Sequence, residues 1–314
     1  MTARIFIDGE IGTTGLQIRD RLENRADITF LRLDETERKD PDARARMLNS
    51  ADIVILCLPD EAARDAVAMI ENDNVRVIDA SSAHRIADGW VYGMPEYDVE
   101  QADAIATARR VSNPGCYAIT SVSILHPLIE AGLVPAGYPV SINAISGYSG
   151  GGKGMIADFE SADGQYADTP FRIYGLTLAH KHVPEITRWG GLEHAPLFVP
   201  SVGHFCQGMI VQVPLQLWSL PGSVSAGDIH GCLSGHYAAQ RFVKVKPLVE
   251  TADMGGLEPE GLNGTNELHL HVFSNPETDQ AVVMGLIDNL GKGASGQAVQ
   301  NLNLMMGVAA DTGL

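Results

Sequence analysis

The sequence predicts an α/β chain in two parts, a parallel sheet wound with helices followed by an α+β part on a mixed, largely antiparallel sheet. Three observations predict it. Short apolar runs alternate with helical stretches over the first third of the chain, longer β-type runs fill most of the remainder, and the last stretch returns to helical spacing.

The first run, Arg4 to Asp8, ends in Gly9-Glu10-Ile11-Gly12-Thr13-Thr14-Gly15, and a helical pattern follows to about Leu22. Further strands are expected at Ile28 to Leu33, Asp52 to Leu58 and Val75 to Asp79, with helices near 41–50 and 60–71 between them. This alternation gives βαβ units with right-handed crossovers. Ligands of such sheets bind beyond the carboxyl ends of the strands, where Gly9 to Gly15 falls. The G-x-x-G-x-x-G spacing is not the usual dinucleotide fingerprint, but its place between strand and helix suits a pyrophosphate over the helix N-terminus. A Rossmann-type domain is therefore expected, with Gly9, Gly12, Thr13, Thr14 and Gly15 at the cofactor. The residues leave the dinucleotide open: Asp34 and Glu35 after the second strand suit the ribose of NAD, whereas Arg32, Arg38 and Lys39 suit the extra phosphate of NADP. Ser81, Ser82 and Arg85, just past the Val75 to Asp79 strand, are further candidates for the cofactor crevice.

From about Asn113 the runs lengthen: Tyr138 to Ile145, Phe205 to Leu217, Arg241 to Leu248, Glu267 to Phe273 and Ala281 to Leu290, with one helix near 225–239. Ala298, Leu302, Met305, Met306 and Ala309 then recur at helical spacing, which suits a helix packed back on the first domain. The expected division is 1–112, completed by 291–314, for the dinucleotide-binding domain, and 113–290 for the catalytic and oligomerisation domain.

A length of 314 residues allows two domains, and 45% hydrophobic content with 33 glycines and 16 prolines suits a globular chain. The formal net charge of −17 argues against nucleic acid or an anionic membrane as partner. Small anions then need backbone N–H groups and a few placed cations. No signal-peptide or membrane-spanning pattern is read, and four scattered cysteines without zinc spacing point to a reducing, cytoplasmic setting.

Chemistry centres on Ser112-Asn113-Pro114-Gly115-Cys116-Tyr117. Pro114 and Gly115 make a turn, and Ile119, Val122, Ile124, Leu125, Leu128 and Ile129 mark a helix after it, which Pro127 is expected to kink. At a helix N-terminus Cys116 is favoured as thiolate, and the same N–H groups can hold an oxyanion. Cys57, inside an apolar strand, reads as packing, as do Cys206 and Cys232.

The thiol needs an acid/base partner, and His180-Lys181-His182-Val183-Pro184-Glu185 supplies candidates in His180, His182 and Glu185. A metal reading lacks a third ligand at short range, and His84, His126 and His204 read as structural. Gly147 to Gly154 follows a strand, with Gly147 for close backbone approach and Lys153 as a cation. Asn289 and Gly291, in the small-residue run opening the last helix, either close over a nicotinamide or simply turn the chain.

Val111 to Ala118 resembles the cysteine signature of N-acetyl-γ-glutamyl-phosphate reductases, NADPH-dependent enzymes of arginine biosynthesis. Gly9 to Gly15, Ser81 to Arg85, Tyr92 to Glu96, Gly147 to Gly154, His180 to Glu185, Pro200 to Pro214 and Gly291 to Asn303 resemble blocks of that family's shorter subtype, so the likeness runs nearly the full chain. It implies a thioester between Cys116 and a γ-carboxyl group, with loss of phosphate and reduction by NADPH to N-acetylglutamate 5-semialdehyde. It also implies His180 as acid/base with His182 and Glu185 in support, NADP as cofactor, and a homo-oligomer, tetramer or dimer; Asn113, Gly147 and Lys153 are expected at the substrate, and no metal is expected. The chain departs from the family at Ile119-Thr120, where Thr-Gly is usual. Rival expectations are a sister acyl-phosphate reductase such as aspartate-semialdehyde dehydrogenase, a Cys–His hydrolase, and a nucleotide sensor without turnover.

Overall fold

A computed structural model describes every residue except Met1, Glu35, Lys39 and Asp253. The chain divides into two compact units, Met1–Gly115 with Ala294–Leu314, and Cys116–Gly293. These boundaries lie three residues beyond the expected 112/113 and 290/291.

In the first unit, β1 (Ala3–Asp8), β2 (Ile28–Leu31), β3 (Ile53–Leu56), β4 (Arg76–Asp79), β5 (Val91–Tyr92) and β6 (Arg110–Ser112) form one sheet in the order β2-β1-β3-β4-β6-β5. Every pairing is parallel. Helices α1 (Thr13–Leu22), α2 (Pro41–Ser50), α3 (Asp60–Ala68) and α4 (Gln101–Thr107) make the crossovers. Chain order reverses at β1 and β3, so the turn after β1 lies where ligands of doubly wound sheets bind. Both faces are covered, which is why β3 reads as the unbroken apolar run Ile53-Val54-Ile55-Leu56. One core cluster joins Ile5, Ile7, Ile18, Ile55 and Ile78 to Ala298, Val299, Leu302 and Met305 of the C-terminal helix Gly296–Met305. The guanidinium of Arg76 donates to the carbonyls of Ile105, Ala106, Ala108 and Met305, closing the ends of two helices at once.

The second unit begins with α5 (Cys116–Glu130) and carries a seven-stranded mixed sheet. Its strands are β7 (Ser141–Gly147), β8 (Phe171–Ile173), β9 (Leu197–Gly203), β10 (Met209–Gln216), β11 (Val243–Val245), β12 (Leu268–Asn275) and β13 (Gln280–Ile287), ordered β11-β12-β13-β10-β7-β9-β8. Helices α6 (Gly152–Glu160), α7 (Val183–Gly190), α8 (Ala226–His236) and α9 (Leu248–Ala252) complete it. Two of the pairings, β7 with β9 and β11 with β12, are parallel and the other four antiparallel.

Residues Tyr117 to Leu125 of α5 are all buried. Thr120, Ser121 and Ser123 stay satisfied by donating to the carbonyls four residues back. Pro127 cannot donate to Ser123 O, and the buried Tyr237 hydroxyl supplies that bond at 2.8 Å. The helix therefore runs on through Pro127 to Glu130. Thr120, one of the two departures from the family pattern, fits because Gly285 on β13 has no side chain: a Cβ there would strike the Thr120 methyl.

Candidate active site

In the first unit, Gly9 has φ +89°, and a Cβ on it would lie on the Cys57 carbonyl. A Cβ on Gly15 would come within 2.6 Å of Gly9 O, so glycine here lets α1 start against the strand end. Gly12 N donates to Gly9 O at 3.0 Å, and Gly12 is the N-cap of α1 without a side-chain cap bond. The first-turn N–H groups of a ten-residue helix are thus left without a capping side chain. The Thr13 hydroxyl, in the same turn, is buried with no hydrogen-bond partner among the described residues. A pyrophosphate would engage those donors and that hydroxyl, so Gly9, Gly12, Thr13, Thr14 and Gly15 fit a dinucleotide.

The loop after β4 is organised differently from expectation. Ser81 donates from N and Oγ to the buried carboxylate of Asp79, and Ser82 does the same to Asp60. His84 Nδ1 lies 2.6 Å from Asp79 and its ring stacks on Trp90 at 4.2 Å. Arg85 donates to the carbonyls of Asn113 and Ala80. The Ser81, Ser82 and Arg85 side chains, expected at the cofactor crevice, therefore hold the loop's shape. Asn113 is also enclosed: Nδ2 donates to Ala294 O, and Oδ1 accepts from Asn301. Asn301 and Gln297 both donate to Gly93 O, and a Cβ on Gly93 would meet the Asn301 amide.

In the second unit, Cys116 is the first residue of α5 and is partly buried. The Tyr117 ring meets His180 edge-on and His182 at a tilt, both at 5.8 Å, and Phe198 at 5.2 Å. His180 and His182 stand 4.8 Å apart, ring to ring. The structure thus gathers both histidines of the sequence motif on the residue that follows the thiol. The His182 backbone N–H donates to His180 Nδ1 at 3.2 Å, which places the proton of a neutral His180 ring on Nε2. His182 and Glu185 are buried, while His180 is partly exposed.

Two tyrosines complete this cluster. Tyr174 Oη donates to Tyr117 Oη at 3.0 Å, and Tyr117 Oη donates to Ser201 O. Burial first, then the charges of Tyr174 and Cys116, holds the Tyr117 phenol well above its ordinary range. Burial pushes Tyr174 up to about 12, with the Cys116 charge adding to it. Both phenols stay neutral beside Cys116. Tyr117 had a sequence signal in its adjacency to Cys116; Tyr174 had none.

Gly293 was also missed. A Cβ on it would lie 2.9 Å from Cys116 Cβ and 3.1 Å from Asp288 O, so this glycine lets the π-turn Gly291–Ser295 press against the Cys116 side chain. A Cβ on Gly291 would strike Thr265 O. Lys292, between them, is fully buried with Nζ 5.4 Å from the Phe242 ring centroid. Asn289 accepts from Gly208 N and donates to Ser149 Oγ, which fixes the loop after β7. Gly147 packs on the Cys206 backbone, and Lys153 is exposed at the start of α6 with no ion pair among the described residues.

The other thiols are distinguished by setting. Cys57 is pushed up to about 12 by burial, then by Asp79 and Asp8, which makes it inert. Cys232 donates to Pro127 O. Cys206, expected to pack, is exposed in the turn before β10, where its carbonyl accepts from Ser149 N. Among the described residues no cluster of three or more His, Cys, Asp or Glu could hold a metal, and no helix is long and apolar enough to cross a membrane.

Comparison with known proteins now bears on this geometry. Residues 13–105 match the family model described as "Semialdehyde dehydrogenase, NAD binding domain", and residues 116–289 match "Semialdehyde dehydrogenase, dimerisation domain". The chain is 54% identical over 306 residues to N-acetyl-gamma-glutamyl-phosphate reductase 2 of Pseudomonas putida, covering 98% of this chain and 97% of that one. The chain belongs to the N-acetyl-γ-glutamyl-phosphate reductase family. A relative from Nostoc, of the same printed name as the Pseudomonas enzyme, is 48% identical over 318 residues, covering 99% of each chain. Among solved structures, aspartate semialdehyde dehydrogenase II of Vibrio cholerae, complexed with ASA, superposes with TM-score 0.71 at 13% identity, over 98% of each chain. Aspartate semialdehyde dehydrogenase with NADP from Candida albicans gives 0.65 at 12% identity, over 98% of this chain and 99% of that one. At that identity the likeness is one of fold, and the expected α/β architecture with a Rossmann-type domain and a mixed sheet is the one observed.

Proposed function

We propose that the protein reduces N-acetyl-γ-glutamyl phosphate to N-acetylglutamate 5-semialdehyde and phosphate, with NADPH, in arginine biosynthesis. The observation that carries the mechanism is the Cys116 helix terminus with two imidazoles on the adjoining tyrosine ring. The Cys116 thiolate attacks the acyl carbon, the carbonyl electrons move to oxygen, and their return expels phosphate and leaves a thioester. A thioester accepts hydride more readily than a carboxylate. NADPH, held at Gly9 to Gly15 over the start of α1, supplies that hydride when bound. Backbone N–H groups in the first turn of α5 hold the oxyanion.

His180 is the acid/base. Its Nδ1 is committed to the His182 N–H, so Nε2 is the atom that carries a proton to the departing oxygen or from the adduct as aldehyde forms. Buried His182, the N-cap of α7, and Glu185 in its first turn support that segment. Asn113, Gly147 and Lys153 face the substrate, with Asn113 contributing through its backbone, since its amide is engaged internally.

Copies of the chain pair through the second unit, in a cytoplasmic homo-oligomer. This rests on the dimerisation-domain match and on the open face of the seven-stranded sheet, where Phe171, Ile173 and Leu197 are exposed. Light scattering of wild type and Ile173→Asp tests it; a wild-type monomer would refute it.

The activity is tested in reverse: NADPH formation from NADP, phosphate and N-acetylglutamate 5-semialdehyde, beside aspartate semialdehyde. Phosphate-dependent turnover of the acetylated aldehyde is expected. Turnover of aspartate semialdehyde alone would overturn the substrate, and turnover without phosphate would overturn the acyl-phosphate chemistry.

A further inference from the structure

A cavity of about 550 Å³ opens at the carboxyl ends of β1 and β2, lined by Asp8, Glu10, Arg32, Arg38 and Arg44 among others. Its cations differ in how they are held. Arg44 is fixed to Asp8 through Nη2 at 2.7 Å and Nε at 3.3 Å, with both side chains largely buried. Among the described residues Arg38 bonds Glu10 Oε1 through Nη2 at 3.1 Å, and its buried Nε has no hydrogen-bond partner there. Arg32 lies over the Phe30 ring at 5.7 Å and makes no ion pair among the described residues. Asp34, the acidic residue that by position should select NAD, is exposed and does not line the cavity; its backbone carbonyl accepts from Glu37 N. Glu35 and Lys39 lie outside the described residues.

We infer that Arg38, with Arg32, reads the 2′-phosphate of NADP, and that Glu10 is a built-in competitor from which that phosphate takes Arg38. The inference rests on the NADP reading above. A 2′-phosphate carries close to two charges and three acceptor oxygens, so it can displace one monodentate carboxylate and also engage the orphaned Nε. A 2′-hydroxyl can do neither. NAD therefore leaves the Glu10–Arg38 pair closed, and selection comes from the exchange of partners rather than from cations alone. Arg44 stays with Asp8 and shapes the wall. Because Glu10 sits inside the glycine loop, the same exchange frees a carboxylate beside the pyrophosphate, which makes Glu10 a brake on affinity.

Calorimetric titration with 2′,5′-ADP and 5′-AMP, probes that need no turnover, tests this on wild type, Arg38→Met and Glu10→Gln at one fixed low ionic strength. Wild type should prefer 2′,5′-ADP by at least about tenfold, in keeping with charged hydrogen bonds. Arg38→Met should lose about 10- to 100-fold for 2′,5′-ADP and change little for 5′-AMP. Glu10→Gln should bind 2′,5′-ADP several-fold more tightly. Retained 5′-AMP binding shows that Arg38→Met is folded. Equal wild-type binding of the two probes, an unchanged preference in Arg38→Met, or weaker 2′,5′-ADP binding by Glu10→Gln would overturn the seat. Failure of wild type to bind either probe would overturn the dinucleotide reading beneath it.

Discussion

Gly293→Ala adds one methyl group at a place where the structure has no room for it. The new Cβ would stand 2.9 Å from Cys116 Cβ and 3.4 Å from Cys116 Cα, with Asp288 O at 3.1 Å on its other side. Two carbons prefer about 3.5–4.0 Å, so relief of the 2.9 Å contact needs roughly 0.6–1.1 Å of movement. Asp288 is fully buried and Gly293 N is bonded to its carbonyl, so the π-turn cannot retreat freely and the displacement falls on the nucleophile. A misplacement of about 1 Å costs on the order of 100-fold in rate, while overpacking costs about 1–3 kcal/mol of stability. The expected outcome is kcat in the reverse reaction down by about 10- to 100-fold, with NADP affinity within a factor of about two of wild type. The rate of Cys116 alkylation by iodoacetamide should change in parallel, because the lesion is at the thiol. Wild-type kcat and alkylation in a folded Gly293→Ala protein would refute the claim that this glycine seats the nucleophile.

Three more predictions concern the same unit and the quiet cysteines. Tyr237→Phe leaves the buried Ser123 carbonyl without its 2.8 Å donor and should cost about 1–3 kcal/mol in urea unfolding; in a Pro127→Ala background, where a backbone N–H returns, most of that cost should vanish, and an undiminished cost would refute the pairing. His271 is buried on β12 with neither ring nitrogen hydrogen-bonded among the described residues, and burial first, then His269 and Lys246, lowers it to about 4, with Glu250 pulling the other way. The unfolded chain therefore binds the extra proton below its ordinary pKa of about 6.5. Stability from this group is full above that pH and is lost as pH falls towards about 4, by at most about 3 kcal/mol. His271→Leu should flatten that part of the pH–stability curve, and an unaltered slope would contradict the assignment. In native alkylation, Cys116 and exposed Cys206 should label well before Cys57, whose thiol is pushed up to about 12; early labelling of Cys57 would show that β3 opens.

Much of the first unit was legible because strands buried on both faces leave unbroken apolar runs, such as Ile53 to Leu56, separated by helical spacing. The cysteine at a helix start and the histidine pair were legible for a similar reason: Pro114-Gly115 marks a turn, and two histidines with a carboxylate in one short segment are rare outside chemistry. Less was readable between 148 and 203. The Phe171–Ile173 edge strand is three residues long, and β9 carries Pro200, so neither shows strand periodicity. Side-chain direction was not readable at all. Ser81, Ser82 and Arg85 looked outward in sequence, yet their polar groups turn back on Asp79, Asp60 and two carbonyls. Lys292, in a small-residue run expected to close over a nicotinamide or simply turn the chain, is fully buried. Pairings such as Pro127 with Tyr237, or Thr120 with Gly285, join residues distant in sequence and leave no local pattern. Asp34 left the choice of dinucleotide open because its place after the second strand suits a ribose, whereas the chain turns it to solvent.

The central claim is an acyl-enzyme on Cys116, and the most direct measurement is single-turnover mixing with N-acetyl-γ-glutamyl phosphate in the absence of NADPH. Released phosphate would be followed in time, and the acid-quenched protein mapped by mass spectrometry. A burst of one phosphate per active subunit and an N-acetylglutamyl adduct on the Cys116 peptide are expected, both lost in Cys116→Ala. Turnover with NADPH but without burst or adduct, or with an adduct on another residue, would contradict the claim.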